Sequence, residues 1–226
     1  MNLPTKLIVR FAVGLILIGA TLFIPAGSLR FWQGWVFIAL VFPAAIISSL
    51  YLYKNDPQLV ARRLETKEKV EKQKLLIRLW RPVFFVAFLI PGFDYRFGWS
   101  RGLGGGVPLW LVVMSDVLVI GGFLFVFWVT KVNSYAARTI RVEEGQTVVS
   151  RGPYSIVRHP MYAGSILMWL FIPLALGSYF ALPVVAVTIP FYVVRLLNEE
   201  ELLRKELRGY SEYCAHTRFR LVPLVW

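Results

Sequence analysis

Cysteine, histidine and acidic residues are scarce in this chain. Cys214 stands alone, so no intrachain disulfide is possible. With only His159 and His216 beside it, no cluster has the spacing of metal ligands, and no metal is expected. Asp and Glu number 13 against 25 Lys and Arg, a formal charge of +12. That balance leaves two classes of partner, nucleic acid or an anionic membrane surface. The glycine-rich stretch 98–108 follows no strand and precedes no Lys-Ser/Thr pair, so it is a flexible connection and not a phosphate loop. No internal repeat is visible, which weighs against the inverted-repeat plan of many transporters.

Apolar residues, by contrast, are abundant. They make up 57% of the chain, with 17% charged and a mean hydropathy of +0.61. A soluble domain of 226 residues has no interior large enough for that much apolar surface. A bilayer does, and runs of about 20 apolar residues have the length needed to cross it. The expected fold is therefore an all-α polytopic membrane protein, bound by membrane lipids and not by nucleic acid. Six spans are expected, at 7–24, 31–53, 79–93, 108–130, 161–176 and 179–197. The last two form a tight hairpin turning at Gly177-Ser178. Pro173, Pro183 and Pro190 interrupt it, as is tolerated where neighbouring helices or a cavity satisfy the freed carbonyls. Lys6 and Arg10 before the first apolar run imitate a signal peptide, but no small-x-small cleavage site follows, so an uncleaved first span is expected.

Placing the N-terminus in the cytoplasm puts 22 of the 25 Lys and Arg on the inside and leaves Arg30, Arg96 and Arg101 outside. The positive-inside rule thus predicts cytoplasmic termini and gathers every long polar segment on one side. One of these, at about 55–78, is charged and helical in pattern, with Asp56-Pro57 as a start signal and Leu59, Val60, Leu64, Val70 and Leu75 as a partial apolar stripe. Its plain reading is a helix lying on headgroups, and the alternative is a gate for substrate.

Two further cytoplasmic stretches carry chemistry. Arg151 to Gly164 contains a Gly152-Pro153 turn, then Arg158-His159-Pro160 at the mouth of the fifth span. Pro160 suits the first turn of a helix, and the positive end of that helix can hold a carboxylate. The sixth span closes with Arg195 and Glu199, four apart and so on one helix face. The hairpin returns the second stretch to the side of the first, so His159, Tyr162, Arg195 and Glu199 are expected to converge. Each has a plainer role: His159 as a cap, Arg151, Arg158 and Arg195 as positive-inside anchors, Glu199 to Glu201 as a solvated acidic turn, Tyr154 and Tyr162 as interfacial aromatics.

The joint pattern resembles the isoprenylcysteine carboxyl methyltransferase family and its bacterial relatives, including phospholipid methyltransferases. The resemblance rests on Gly152-Pro153-Tyr154, on Val157 through Gly164, on Arg195 followed by Glu199-Glu200 and Leu203, and on the tail residues Leu207 to Tyr213 and Arg218 to Pro223. It covers about 133–226 and implies a division into N-terminal transmembrane helices at 1–130 and a methyltransferase core at 131–226. It also implies S-adenosylmethionine held without a Rossmann domain, by Gln146, Thr147, Val148, Val149, Tyr154, His159, Pro160, Met161, Tyr162 and the acid Glu199. Arg195 then stands at the substrate side, and Arg195 and Glu199 are the catalytic pair. The bacterial character of the tail points to an inner membrane. Two departures stand out: Gln146 replaces a histidine frequent in the family, and Arg208-Gly209-Tyr210 replaces its Phe-Gly, one residue earlier.

Three readings follow. A lipophilic substrate with a carboxylate needs no general base, because the carboxylate is already nucleophilic, and alignment and exclusion of water suffice. An amine acceptor, as in a phospholipid methyltransferase, must lose a proton, for which Glu200 or His159 would serve. A catalytically silent membrane protein or transporter is the third, resting on Asp116 inside the fourth span.

Overall fold

The computed structural model describes residues 2–65, 71–136 and 141–226. Among the described residues all regular structure is helical: α1 (Leu3–Ala26), α2 (Trp32–Asn55), α3 (Pro57–Leu64), α4 (Glu71–Phe97), α5 (Trp99–Gly102), α6 (Leu109–Val132), a 3-10 turn (Gly152–Ser155), α7 (Pro160–Ala175), α8 (Ala181–Ala186), α9 (Thr188–Glu206) and α10 (Tyr210–His216). Residues 66–70 of the charged segment, and Arg138 of the orientation count, lie outside the described residues.

Among the described residues five helices are long and apolar enough to cross a membrane: α1, α2, α4 from Gln73, α6, and the joined α8–α9 run Ala181–Glu206. The expected span at 161–176 is α7, with 16 residues. At 1.5 Å per residue it measures about 24 Å, short of a hydrocarbon core of about 30 Å. Of the six expected spans, five are thus full-length helices among the described residues and the fifth in chain order is a short apolar helix. Helix α4 departs the other way. The sequence marks a span at 79–93, yet the helix runs unbroken for 27 residues, because nothing between Glu71 and Arg81 stops it. Its first turns therefore stand beyond the apolar core and reach the polar end of the molecule.

The helix ends follow local signals. Asp56 closes α2 and caps α3, its side chain accepting from the Leu59 amide at 2.9 Å with Pro57 in the first turn. The α7–α8 turn is a Schellman motif: Gly177 adopts φ 72°, its amide reaches the Leu174 carbonyl, and the Ser178 amide reaches the Pro173 carbonyl, both at 2.9 Å. Around this turn Ala175, Leu176, Ala181 and Val185 are fully buried, so the proline-rich hairpin is tightly packed. Nearby, Asp94 of α4 accepts from the Ser100 amide at 2.7 Å and from the Ser100 and Ser178 hydroxyls at 2.6 and 2.5 Å. This buried staple ties α4, α5 and the hairpin together at the end of the molecule away from the basic segments.

A core of Leu22, Phe31, Phe37, Phe88, Val119, Trp169 and Ile172 joins α1, α2, α4, α6 and α7. Large apolar side chains such as Ile16, Ile47, Trp110 and Val117 point outward, as a lipid-facing surface requires. Helices α6 and α7 cross closely. A Cβ on Gly164 would lie 2.8 Å from Phe125 Cδ1 and Val126 Cγ2, and one on Gly122 would lie 2.7 Å from Met168 Cγ. In a bilayer, where apolar burial does not drive helix association, such small-residue contacts hold helices together. Gly164→Leu is therefore expected to pry α7 from α6 and lower the thermal midpoint in detergent by several degrees. An unchanged midpoint would show that the crossing is not needed.

Candidate functional site

The basic segments and helix ends α6, α7 and α9 gather around one cleft. The 3-10 turn Gly152–Ser155 redirects the chain after Gly152, at φ 60°, and delivers Arg158-His159 to the start of α7. Their backbone pairs with the C-terminal tail: the Arg158 amide donates to the Phe219 carbonyl and the His159 amide to the Arg220 carbonyl, each at 2.9 Å. Beneath them lies Glu200 of α9, with 3% of its surface exposed. Its Oε1 is 3.1 Å from Arg158 Nε and 3.2 Å from His159 Nε2, and its Oε2 is 3.1 Å from Arg220 Nε. The Arg158 contact is an ion pair by distance without the alignment of a hydrogen bond. His159 stands at the N-cap position of α7, yet its side chain makes no capping bond. Facing a carboxylate, its Nε2 carries the proton.

One residue earlier on α9, a rotation of about 100° along the helix, Glu199 points elsewhere. Its Oε2 accepts from the Tyr162 hydroxyl at 2.6 Å, and the same hydroxyl receives Arg195 Nε at 3.1 Å. Arg195 and Glu199, one turn apart on α9, are thus joined through a phenol supplied by α7. Arg195 also donates from Nη1 to Gln73 Oε1 of α4 at 3.3 Å.

The loop after α6 makes the opposite wall. Asn133 donates to the Tyr154 hydroxyl at 3.0 Å, and Tyr213 of α10 donates to the Tyr154 carbonyl at 2.7 Å. Burial pushes the Tyr154 phenol up to about 12, so it remains protonated at neutral pH. Burial, with Glu200 nearby, likewise raises Tyr210, and burial raises Tyr213. Helix α3 is fastened to this wall. Arg62 and Arg63 donate to the Ser134 and Ala136 carbonyls at 2.8 and 2.9 Å, and Arg141 pairs with Glu65 and Glu143. The charged segment is therefore packed on the cleft wall over its first half, a contact that lies outside the headgroup reading.

The cleft holds about 810 Å³ of empty space, a figure that includes its open mouth. Gln146, Thr147, Val148, Val149, Tyr154, His159, Met161, Tyr162, Arg195 and Glu199 all line it. Pro160 does not; it is buried in the first turn of α7, where its ring sets the helix start. Arg158, Asn133, Tyr135, Arg141, Leu203, Leu207, Tyr210 and Tyr213 also line the cleft, and sequence reasoning had not placed them there. The spacing of Tyr210 and Tyr213 on one helix face was the signal available for two of them. Asn133 and Arg141 carry no local signal. Asp116 lies buried on α6 and does not line the cleft.

Residues 110–208 match the family model described as phospholipid methyltransferase. A curated relative, the Delta(14)-sterol reductase TM7SF2 of Mus musculus, is 28% identical over 137 residues, covering 54% of this chain and 32% of the relative. The chain thus spans about a third of that relative's length. A solved structure of the eukaryotic intramembrane Ras methyltransferase ICMT (isoprenylcysteine carboxyl methyltransferase) aligns over 100% of this chain and 88% of its own, at 16% identity and a TM-score of 0.43. The matched segment holds α6, α7, α9 and the Tyr162–Glu199–Arg195 corner of the cleft. Residues 110–208, somewhat under half of the chain, are thus similar to the phospholipid methyltransferases.

Proposed function

We propose that the chain is an S-adenosylmethionine-dependent methyltransferase that modifies a carboxylate on a lipophilic, isoprenylcysteine-like acceptor, with its cleft at the cytoplasmic face of a bacterial inner membrane. The observation that carries this reading is the Tyr162 hydroxyl between Glu199 and Arg195, which holds an acid and a cation at one corner of the cleft.

The donor set suits the cofactor. Glu199 offers a carboxylate to an ammonium. Arg158 and His159, lining the same cleft, offer positive potential and N–H groups to a carboxylate. Tyr154, Tyr210 and Tyr213 offer aromatic walls, and the Tyr210 hydroxyl is buried without a hydrogen-bond partner among the described residues. When bound, the cofactor supplies an electrophilic methyl group on a sulfonium. Arg195 orients the acceptor carboxylate, Tyr162 fixes Arg195 and Glu199 relative to each other, and α10 and the tail limit access of water. Transfer of that methyl group to a carboxylate would need no proton to be removed, so none of these residues would have to act as a base.

The amine reading keeps one support, the description of the matched family as phospholipid methyltransferase. It asks for a base, and Glu200 is a poor candidate because two guanidiniums and an imidazole already occupy its oxygens. An acceptor screen with radiolabelled methyl donor separates the two. Full-length protein in nanodiscs is expected to label a prenylated thiol acid and to leave phosphatidylethanolamine unlabelled. Label on the amine lipid alone would reverse the assignment, and no binding of S-adenosylmethionine would remove both readings.

A further inference from the structure

Two hydrogen-bond donors on α4, the Gln73 amide and the Trp80 indole N–H, are buried without a partner among the described residues. Gln73 is fully shielded from solvent. Its Oε1 accepts from Arg195 Nη1, and since a guanidinium carries only donors, the amide can face it only with its oxygen. The Gln73 Nε2 group is then left unmatched. Seven residues on, two turns and about 10 Å along the same face, the Trp80 indole N–H is also buried and unmatched. The Trp80 ring lies 5.7 Å from the Tyr192 ring, which lies 5.9 Å from the Tyr162 ring. Gln73 therefore touches Arg195 directly, and Trp80 reaches the same corner through one intervening ring. Leu75 and Leu79, on neighbouring faces of α4, are exposed to the lipid side.

Buried donors without acceptors are unfavourable, and native interiors hold few of them. Here both unmatched groups have the same polarity. A ligand at this corner has to bring oxygen lone pairs; an ammonium head would bring more donors to a wall that already has too many. We propose that Gln73 is a specificity-determining residue on the acceptor side of the site. Its carbonyl oxygen positions Arg195, and its N–H groups, with the Trp80 indole N–H deeper in the bilayer, receive oxygen atoms of an acidic lipophilic acceptor. This rests on the methyltransferase reading and adds to it the helix, α4, that tells acid from amine. The acceptor's carboxylate is held through one oxygen by Gln73 and Arg195, which leaves the other free to attack.

The test is calorimetric titration of full-length wild type, Gln73→Glu and Gln73→Leu in nanodiscs. S-adenosylhomocysteine is titrated first; N-acetyl-S-farnesylcysteine as the acid and farnesylamine as the amine follow in separate arms. Gln73→Glu keeps an acceptor for Arg195 and exchanges the unmatched donors for a second acceptor, so it tests the N–H groups alone. The acid's Kd is expected to rise tenfold or more in both variants. The Kd of S-adenosylhomocysteine is expected to move less than threefold, and the amine to bind Gln73→Glu no worse than wild type. An acid Kd in Gln73→Glu within threefold of wild type overturns the proposal. So does wild type that binds S-adenosylhomocysteine but prefers the amine or takes up no acid. Wild type that fails to bind S-adenosylhomocysteine points instead to failure of the methyltransferase reading itself.

Discussion

Glu200→Ala is expected to be the most damaging single change outside the membrane core. Its carboxylate is the acid facing Arg158, His159 and Arg220, which come from the loop before α7 and from the tail. Removing it leaves two guanidiniums facing each other, with Arg158 only 7% exposed. Breaking a buried ion pair from one side costs about 3–5 kcal/mol, because the surviving charge keeps its desolvation penalty without its partner. The tail should undock, since what then holds it at that junction is two backbone bonds from Arg158 and His159, a long contact from Arg158 to the Arg218 carbonyl at 3.4 Å, and the packing of Leu221 on Tyr162 and Leu196. Thermal unfolding in detergent together with limited proteolysis near residues 217–226 reads this out. A midpoint within two degrees of wild type and an uncut tail would show that the cluster contributes nothing.

Glu199→Gln is expected to have the second largest effect, and a different one. Glutamine still accepts from the Tyr162 hydroxyl, so the fold and the corner are kept while the charge is lost. A hydrogen bond to a charged group is worth about 1.5–3 kcal/mol, a factor of roughly 10–100 in affinity. The Kd of S-adenosylmethionine should rise by that factor. Arg195→Ala should leave cofactor binding within about threefold and instead lower turnover of an acid acceptor. Equal losses of cofactor affinity in the two variants would contradict separate roles for the two ends of the Tyr162 bridge.

These two glutamates mark the limit of what sequence spacing can resolve. They are adjacent, both sit at the end of an apolar span, and either suits an acid wall. The sequence favoured Glu199 for the cofactor through a family resemblance and held Glu200 in reserve as a base. A helix turns by about 100° per residue, so neighbours address different surroundings, and those surroundings are supplied by α7 and the tail. Gln73 is a sharper case. It lies 122 residues from Arg195, in a segment whose alternating charges advertise only a surface helix. No local pattern distinguishes it from its neighbours Lys72 and Lys74. The clamp of Arg62 and Arg63 on the carbonyls of Ser134 and Ala136 was equally hidden, because a backbone carbonyl leaves no trace in side-chain spacing.

What the sequence determined by itself is the class of molecule and the local course of its helices and turns. Apolar runs, the one-sided distribution of Lys and Arg, the Asp56-Pro57 start and the Gly177-Ser178 turn are local or additive signals, and hydrophobic length and turn chemistry act without knowledge of the rest of the chain. The hairpin alone was enough to bring His159, Tyr162, Arg195 and Glu199 to one end. Tertiary packing decided the rest: the short α7, the early start of α4, the sorting of Glu199 into the cleft and Glu200 beneath it, and the placing of Gln73 beside Arg195. Each depends on which helix faces are brought together, through crossings such as Gly122 on Gly164, and a face has a partner only once the chain has folded.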